Sequence, residues 1–125
     1  MAAKLGVVLL IYTQSLLCLV SSSDPPKIQP FSFPVNLQVG SPIRVTCGLE
    51  KGSPPLTFTW KKNGIQLKPI PNKVRFLEDE GFVMLEIKRL DASDVANYTC
   101  VARNSAGEDW FTSHLLVKEG ASGML

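Results

Sequence analysis

The chain has 125 residues, room for one domain of ordinary size, and its 13 basic residues nearly balance 11 acidic ones. That balance, with no basic run longer than pairs such as Lys61-Lys62 and Lys88-Arg89, excludes a nucleic-acid footprint and leaves those pairs as solvated strand edges. Three cysteines and one histidine do not complete a metal-ligand set.

Residues 1–22 read as a secretory signal peptide. Lys4 supplies the basic start, Leu5 to Val20 a mostly apolar stretch, and Ser21 to Ser23 the small residues of a cleavage site. Tyr12-Thr13-Gln14-Ser15 interrupts the apolar run, which is short for a membrane span of about 20 residues. Cleavage after Ser22 would remove Cys18 and leave Cys47 and Cys100. Two cysteines in a secreted chain read as one structural disulfide. No stretch after residue 22 is apolar enough to span a membrane, and 119–125 is expected to be a flexible tail.

Four prolines between 24 and 34 imply an edge strand broken in its middle, resuming near Val35 to Val39. From Ile43 the pattern alternates, with Ile43, Val45, Cys47 and Leu49 on one face, which is a half-buried strand. Leu56, Phe58 and Trp60 repeat the period. Asn63-Gly64 is a hairpin signal, because both positions accept positive φ. Short strands follow at 65–67 and 74–78. Val83, Leu85 and Ile87 then face in, with Met84, Glu86 and Lys88 facing out. Asp91 to Asp94 forms a corner before Tyr98, Cys100 and Ala102, which face in. Asn104 to Gly107 turns into a last strand running to about Val117. Seven or eight short strands with regular turns predict an all-β sandwich.

Cys47, Trp60, Tyr98 and Cys100 stand at the spacings of an immunoglobulin sandwich, where two cysteines bridge the sheets, a Trp packs on the bridge and a Tyr closes a corner. The run Asp94-Val95-Ala96-Asn97-Tyr98-Thr99-Cys100-Val101-Ala102-Arg103-Asn104-Ser105-Ala106-Gly107 resembles the signature of I-set immunoglobulin domains, and Trp60-Lys61-Lys62-Asn63-Gly64 resembles their third strand and its turn. Pro25 to Phe33 and Gly52 to Leu56 are similar, more narrowly, to immunoglobulin domains of arthropod Dscam, the Down syndrome cell adhesion molecule. The resemblance covers about 25–118. It implies an all-β, immunoglobulin-like (I-set) two-sheet sandwich over 23–118, with one inter-sheet disulfide between Cys47 and Cys100 and a core around Trp60, Tyr98 and Leu85. It also implies a role in cell recognition, with matching copies binding each other. Dscam receptors carry many domains and a membrane span, whereas this sequence is read as one domain without a span, whether as a fragment, a truncated product or a small secreted relative.

Four site expectations follow. Asn97-Tyr98-Thr99 is an N-glycosylation sequon, and a strand that turns Tyr98 inward turns Asn97 outward. A glycan there would bias partner contact toward the opposite sheet. Arg75 and Asp94 are expected to form a salt bridge at the bottom of the sandwich, as similar domains do. Trp110 faces out if the last strand is regular, since Leu115 and Val117 face in, and exposed aromatics are favoured partner contacts. His114, the single histidine, is a surface residue with no Ser–Asp pair to serve, so no enzyme, cofactor or metal is expected. The expected role is a secreted or extracellular protein-recognition and adhesion module whose partner is a protein, itself included. The alternatives are a soluble immune or inhibitory factor that binds a foreign surface or receptor, and a structural module of a larger protein.

Overall fold

A computed structural model describes residues 23–119. The expected signal peptide, and the tail from 120 onward, lie outside the described residues. Among the described residues eight strands form: β1 (Lys27–Ile28), β2 (Ile43–Lys51), β3 (Thr57–Lys62), β4 (Ile65–Gln66), β5 (Val74–Asp79), β6 (Phe82–Ile87), β7 (Ala96–Asn104) and β8 (Gly107–Leu115). They make two four-stranded antiparallel sheets, ordered β1-β2-β6-β5 and β4-β3-β7-β8. A short 3₁₀ turn, Ala92–Asp94, joins β6 to β7.

The alternation in sequence is what sorts residues between core and surface. On β2 the side chains of Ile43, Val45 and Cys47 are buried while Arg44 and Thr46 are exposed. On β7 the buried set is Ala96, Tyr98, Cys100 and Ala102. The two sheets meet over these inner faces, as a sandwich requires. Cys47 on β2 and Cys100 on β7 are bonded, so the disulfide ties one sheet to the other. Trp60 lies directly beside Cys100 in the β3–β7 register and is almost wholly buried. Leu85 and Tyr98 are each 1% exposed.

The first segment pairs only where prolines permit. β1 is two residues long, and the chain rejoins a sheet only at Gln38, which bridges Lys118 in parallel. Between them, Phe31 and Phe33 turn into the core, a role that the broken alternation of this segment conceals. Phe31 packs edge-on against Trp60 and Phe111, and Phe33 against Tyr98. The hairpin at Asn63-Gly64 has φ values of 51° and 83°, the positive pair that its turn demands.

Candidate recognition surfaces

The corner between β6 and β7 fixes how the sheets are presented. The Tyr98 hydroxyl donates to the Asp94 carbonyl at 2.7 Å. Burial, with the nearby Asp94 and Asp91 charges, pushes the Tyr98 hydroxyl pKa up, so it stays a donor. Asp91 caps the 3₁₀ turn by accepting from the Ser93 amide, while Asp94 accepts from the Asp91 amide.

The expected Arg75–Asp94 bridge does not form. Asp94 is paired with Lys73, whose ammonium sits 2.7 Å from one carboxylate oxygen. Lys73 also donates to Asp91 and to the Arg89 carbonyl. The reason is register. Arg75 lies opposite Glu86 on the outer face of β5, and its guanidinium is held there. Lys73 stands in the turn before β5, where its chain reaches the corner.

Glu86 carries a second correction. It does lie on the outer face of β6, but it is 3% exposed. Arg44 on β2 and Arg75 on β5 flank it in one cross-strand row and cover it. Each donates from Nε to a different carboxylate oxygen, at 2.6 Å in both cases. Burial raises the carboxyl pKa, but the hydrogen bonds and charges of Arg75 and Arg44 outweigh it and hold Glu86 below the usual carboxylate range. Single-strand alternation cannot find this triad, because its members come from three strands.

The outer face of the β1-β2-β6-β5 sheet is therefore ordered along its strands. Arg44, Arg75 and exposed Lys88 mark one end. The next row is Thr46, Met84 and Leu77, with Leu77 53% exposed. Beyond it come Asp79, which ends β5, and Glu80 in the turn to β6, both exposed, while exposed Lys27 and Lys51 pair across β1 and β2 at the same end of the sheet.

The outer face of the other sheet differs. Thr57, Thr59, Thr99 and Thr112 line a shallow concavity of about 510 Å³, with Trp110 on its wall. Trp110 is 62% exposed, and its neighbour Phe111 turns toward the core. Asn97 is exposed on this same face, four residues along β7 from Val101, the register partner of Trp110. Its side-chain oxygen lies 2.7 Å from Nδ1 of His114 on β8.

Two disulfide-linked antiparallel sheets over a buried Trp, closed by a Tyr at the corner, define an immunoglobulin-type sandwich. The chain belongs to the immunoglobulin I-set domain family, which it matches over residues 15–117. It is 38% identical over 94 residues to "Cell adhesion molecule Dscam2" of Drosophila melanogaster, covering 75% of this chain and 4% of that protein. It is 36% identical over 101 residues to human "Cell adhesion molecule DSCAM", covering 79% of this chain and 5% of that protein. The chain thus spans about a twentieth of the length of these relatives. Among solved structures, the Dscam1 Ig7 domain, isoform 5, aligns with a TM-score of 0.71 at 29% identity, covering 75% of this chain and 97% of that one. An I-band fragment of titin, I67-I69, aligns equally well, with a TM-score of 0.71 at 27% identity over 78% of this chain and 34% of that one. The Dscam match supports an adhesion or recognition module, and the titin match cautions that the fold alone does not choose the role.

Proposed function

We propose that this domain is an extracellular protein-recognition module that pairs with a second copy of itself through the outer face of the β1-β2-β6-β5 sheet. The order of chemistry along that face carries the reading: cations at one end, Thr46, Met84 and Leu77 in the middle, and Asp79 and Glu80 at the other. A two-fold axis through the middle row lays each basic end on the partner's acidic end and apolar side chains on one another. A face that is its own complement is what an isologous dimer requires. Kinship with named cell adhesion molecules supports the same role. The sequon at Asn97 adds to it, because a glycan there would crowd the opposite sheet and leave this one open. Sedimentation of the secreted chain tests the pairing. Self-association that disappears in Asp79→Arg, and returns when Asp79→Arg is mixed with Arg75→Asp/Glu86→Gln, is the expected result. A strict monomer at high concentration overturns it.

A second reading rests on Trp110. An exposed indole beside a concave, hydroxyl-lined face is suited to a different partner, as in a soluble factor that binds another protein. Capture of a heterologous protein that is lost in Trp110→Ala, with no self-association, would favour that reading.

A further inference from the structure

We propose that the Arg44–Glu86–Arg75 triad and Lys88 form a binding site for a tetrahedral oxyanion of the sulfate or phosphate class. This goes beyond the pairing proposed above, which would set a partner's acidic end on the same cations, so that pairing and anion binding compete. The site is built rather than accidental. Glu86 is 3% exposed, and it draws two arginines from β2 and β5 onto its two oxygens, each through Nε at 2.6 Å. Both bonds run through Nε, and the two arginine side chains are 59% and 60% exposed. One carboxylate holds both guanidinium groups in a single cross-strand row. Lys88, exposed, stands two residues beyond Glu86, just past the end of β6, and lines the same concavity. Pro42, Arg44, Arg75, Glu86 and Lys88 line a concavity of about 390 Å³ between these side chains.

The chemistry follows from geometry and charge. Three cations and one carboxylate leave a net charge of about +2 at the site. Two guanidinium edges held in place can each donate two parallel bonds, which suits an anion with several oxygens better than a single carboxylate. The buried carboxylate fixes side chains that would otherwise be mobile, so less rotamer entropy is lost when an anion binds. An ordinary basic cluster of free lysines has no such anchor. The group could arrive as a sulfate ester on a polysaccharide chain or as free inorganic phosphate or sulfate. Both present the same oxygens to the site.

The test uses the secreted full chain, with a sulfated heparin oligosaccharide and inorganic sulfate as separate probes in titration calorimetry at low salt. Oligosaccharide binding that weakens about tenfold or more in Arg44→Gln/Arg75→Gln/Glu86→Gln is expected, from the loss of charge-assisted bonds. Glu86→Gln accompanies the arginine changes so that no buried carboxylate is left unpaired, and thermal unfolding checks that the variant folds. Lys88→Gln should weaken binding less. Lys61→Gln, on the other sheet, should leave it unchanged. Competition by millimolar sulfate would point to the free anion as source, and its absence to the polymer; both fit the site. Asp79→Arg, which disrupts the proposed pairing and so uncovers these cations, should bind the oligosaccharide no more weakly than the native chain. Unchanged affinity in the triple variant, or no binding of either probe by the native chain, overturns the site.

Discussion

The two outer faces of this sandwich grow from the same strand alternation and end with opposite chemistry. On the β1-β2-β6-β5 sheet, three strands place Arg44, Glu86 and Arg75 in one row, and a buried carboxylate organises the surface. On the β4-β3-β7-β8 sheet, threonine hydroxyls surround one exposed indole, and a sequon sits at the margin. One face buries a carboxylate between its cations, and the other keeps Lys61 and the exposed Arg103–Glu108 ion pair among its hydroxyls. The difference teaches that the inner pattern, which sets the fold, places no constraint on the outer one. Function in this fold is written on the residues that the core does not need.

The largest effect comes from separating the sheets. Replacing Cys47 and Cys100 with alanine opens a link spanning 53 positions, worth about 4 kcal/mol on the chain-entropy view. The Tm should fall by about 15 °C or more. Both faces should then lose their binding together, since each depends on the common core. Survival of either at the lowered Tm would show that one sheet holds its shape without the other.

Next in size is the corner. Tyr98→Phe removes the donor to the Asp94 carbonyl while keeping the ring against Phe33. The expected loss is about 1–2 kcal/mol, read by denaturant unfolding. Because the corner supports both faces equally, neither binding activity should change at temperatures well below the Tm. A selective loss on one side would show that the corner positions that face in particular.

Smaller still is the effect of Trp110→Ala on stability, within about 0.5 kcal/mol for an exposed side chain. Its value is in distinguishing the faces. Self-association should be unaffected, since the proposed pairing lies on the other sheet. If Trp110→Ala abolishes pairing, the two faces exchange roles. Glycosidase treatment sharpens the same contrast. Loss of mass on treatment, absent in Asn97→Gln, would place a glycan beside Trp110, whereas unchanged mass would leave that face as open as the first.

The fold was legible in the sequence because period-2 alternation depends on positions within single strands, and because the Cys–Trp–Tyr–Cys spacing along the chain marks β2, β3 and β7. Ile43 to Leu49 and Tyr98 to Ala102 could be assigned to faces without knowing their neighbours. What escaped depends on pairing between strands. The partner of Asp94 is Lys73 rather than Arg75 because the β5–β6 register sets Arg75 against Glu86. Glu86 faces out as its alternation predicts, yet it is buried, because β2 and β5 each supply an arginine to cover it. Phe31 and Phe33 escaped for another reason. They fill the core from an irregular segment between prolines, where no period exists to reveal them.

The smallest predicted effect is a pH dependence that again separates the corner from the faces. Asp91 titrates at about 2 in the folded chain, below its ordinary value of 3.8, because the Ser93 hydroxyl and then Lys73 hydrogen-bond its carboxylate. Glu86 is held low as well, by Arg75 and Arg44 against the opposing effect of burial. A lowered folded value means that the unfolded chain binds more protons in this range. The stabilisation is therefore complete only above about pH 5.5 and is lost progressively as the pH falls toward 2. Asp91 is half exposed, so solvent screening keeps its share small. Urea midpoints should stay level from pH 7 to about 5.5 and then decline. In Asp91→Asn, and separately in Glu86→Gln, the decline should be shallower. An identical acid profile in the native chain and Asp91→Asn would assign the whole decline to Glu86 and its two arginines.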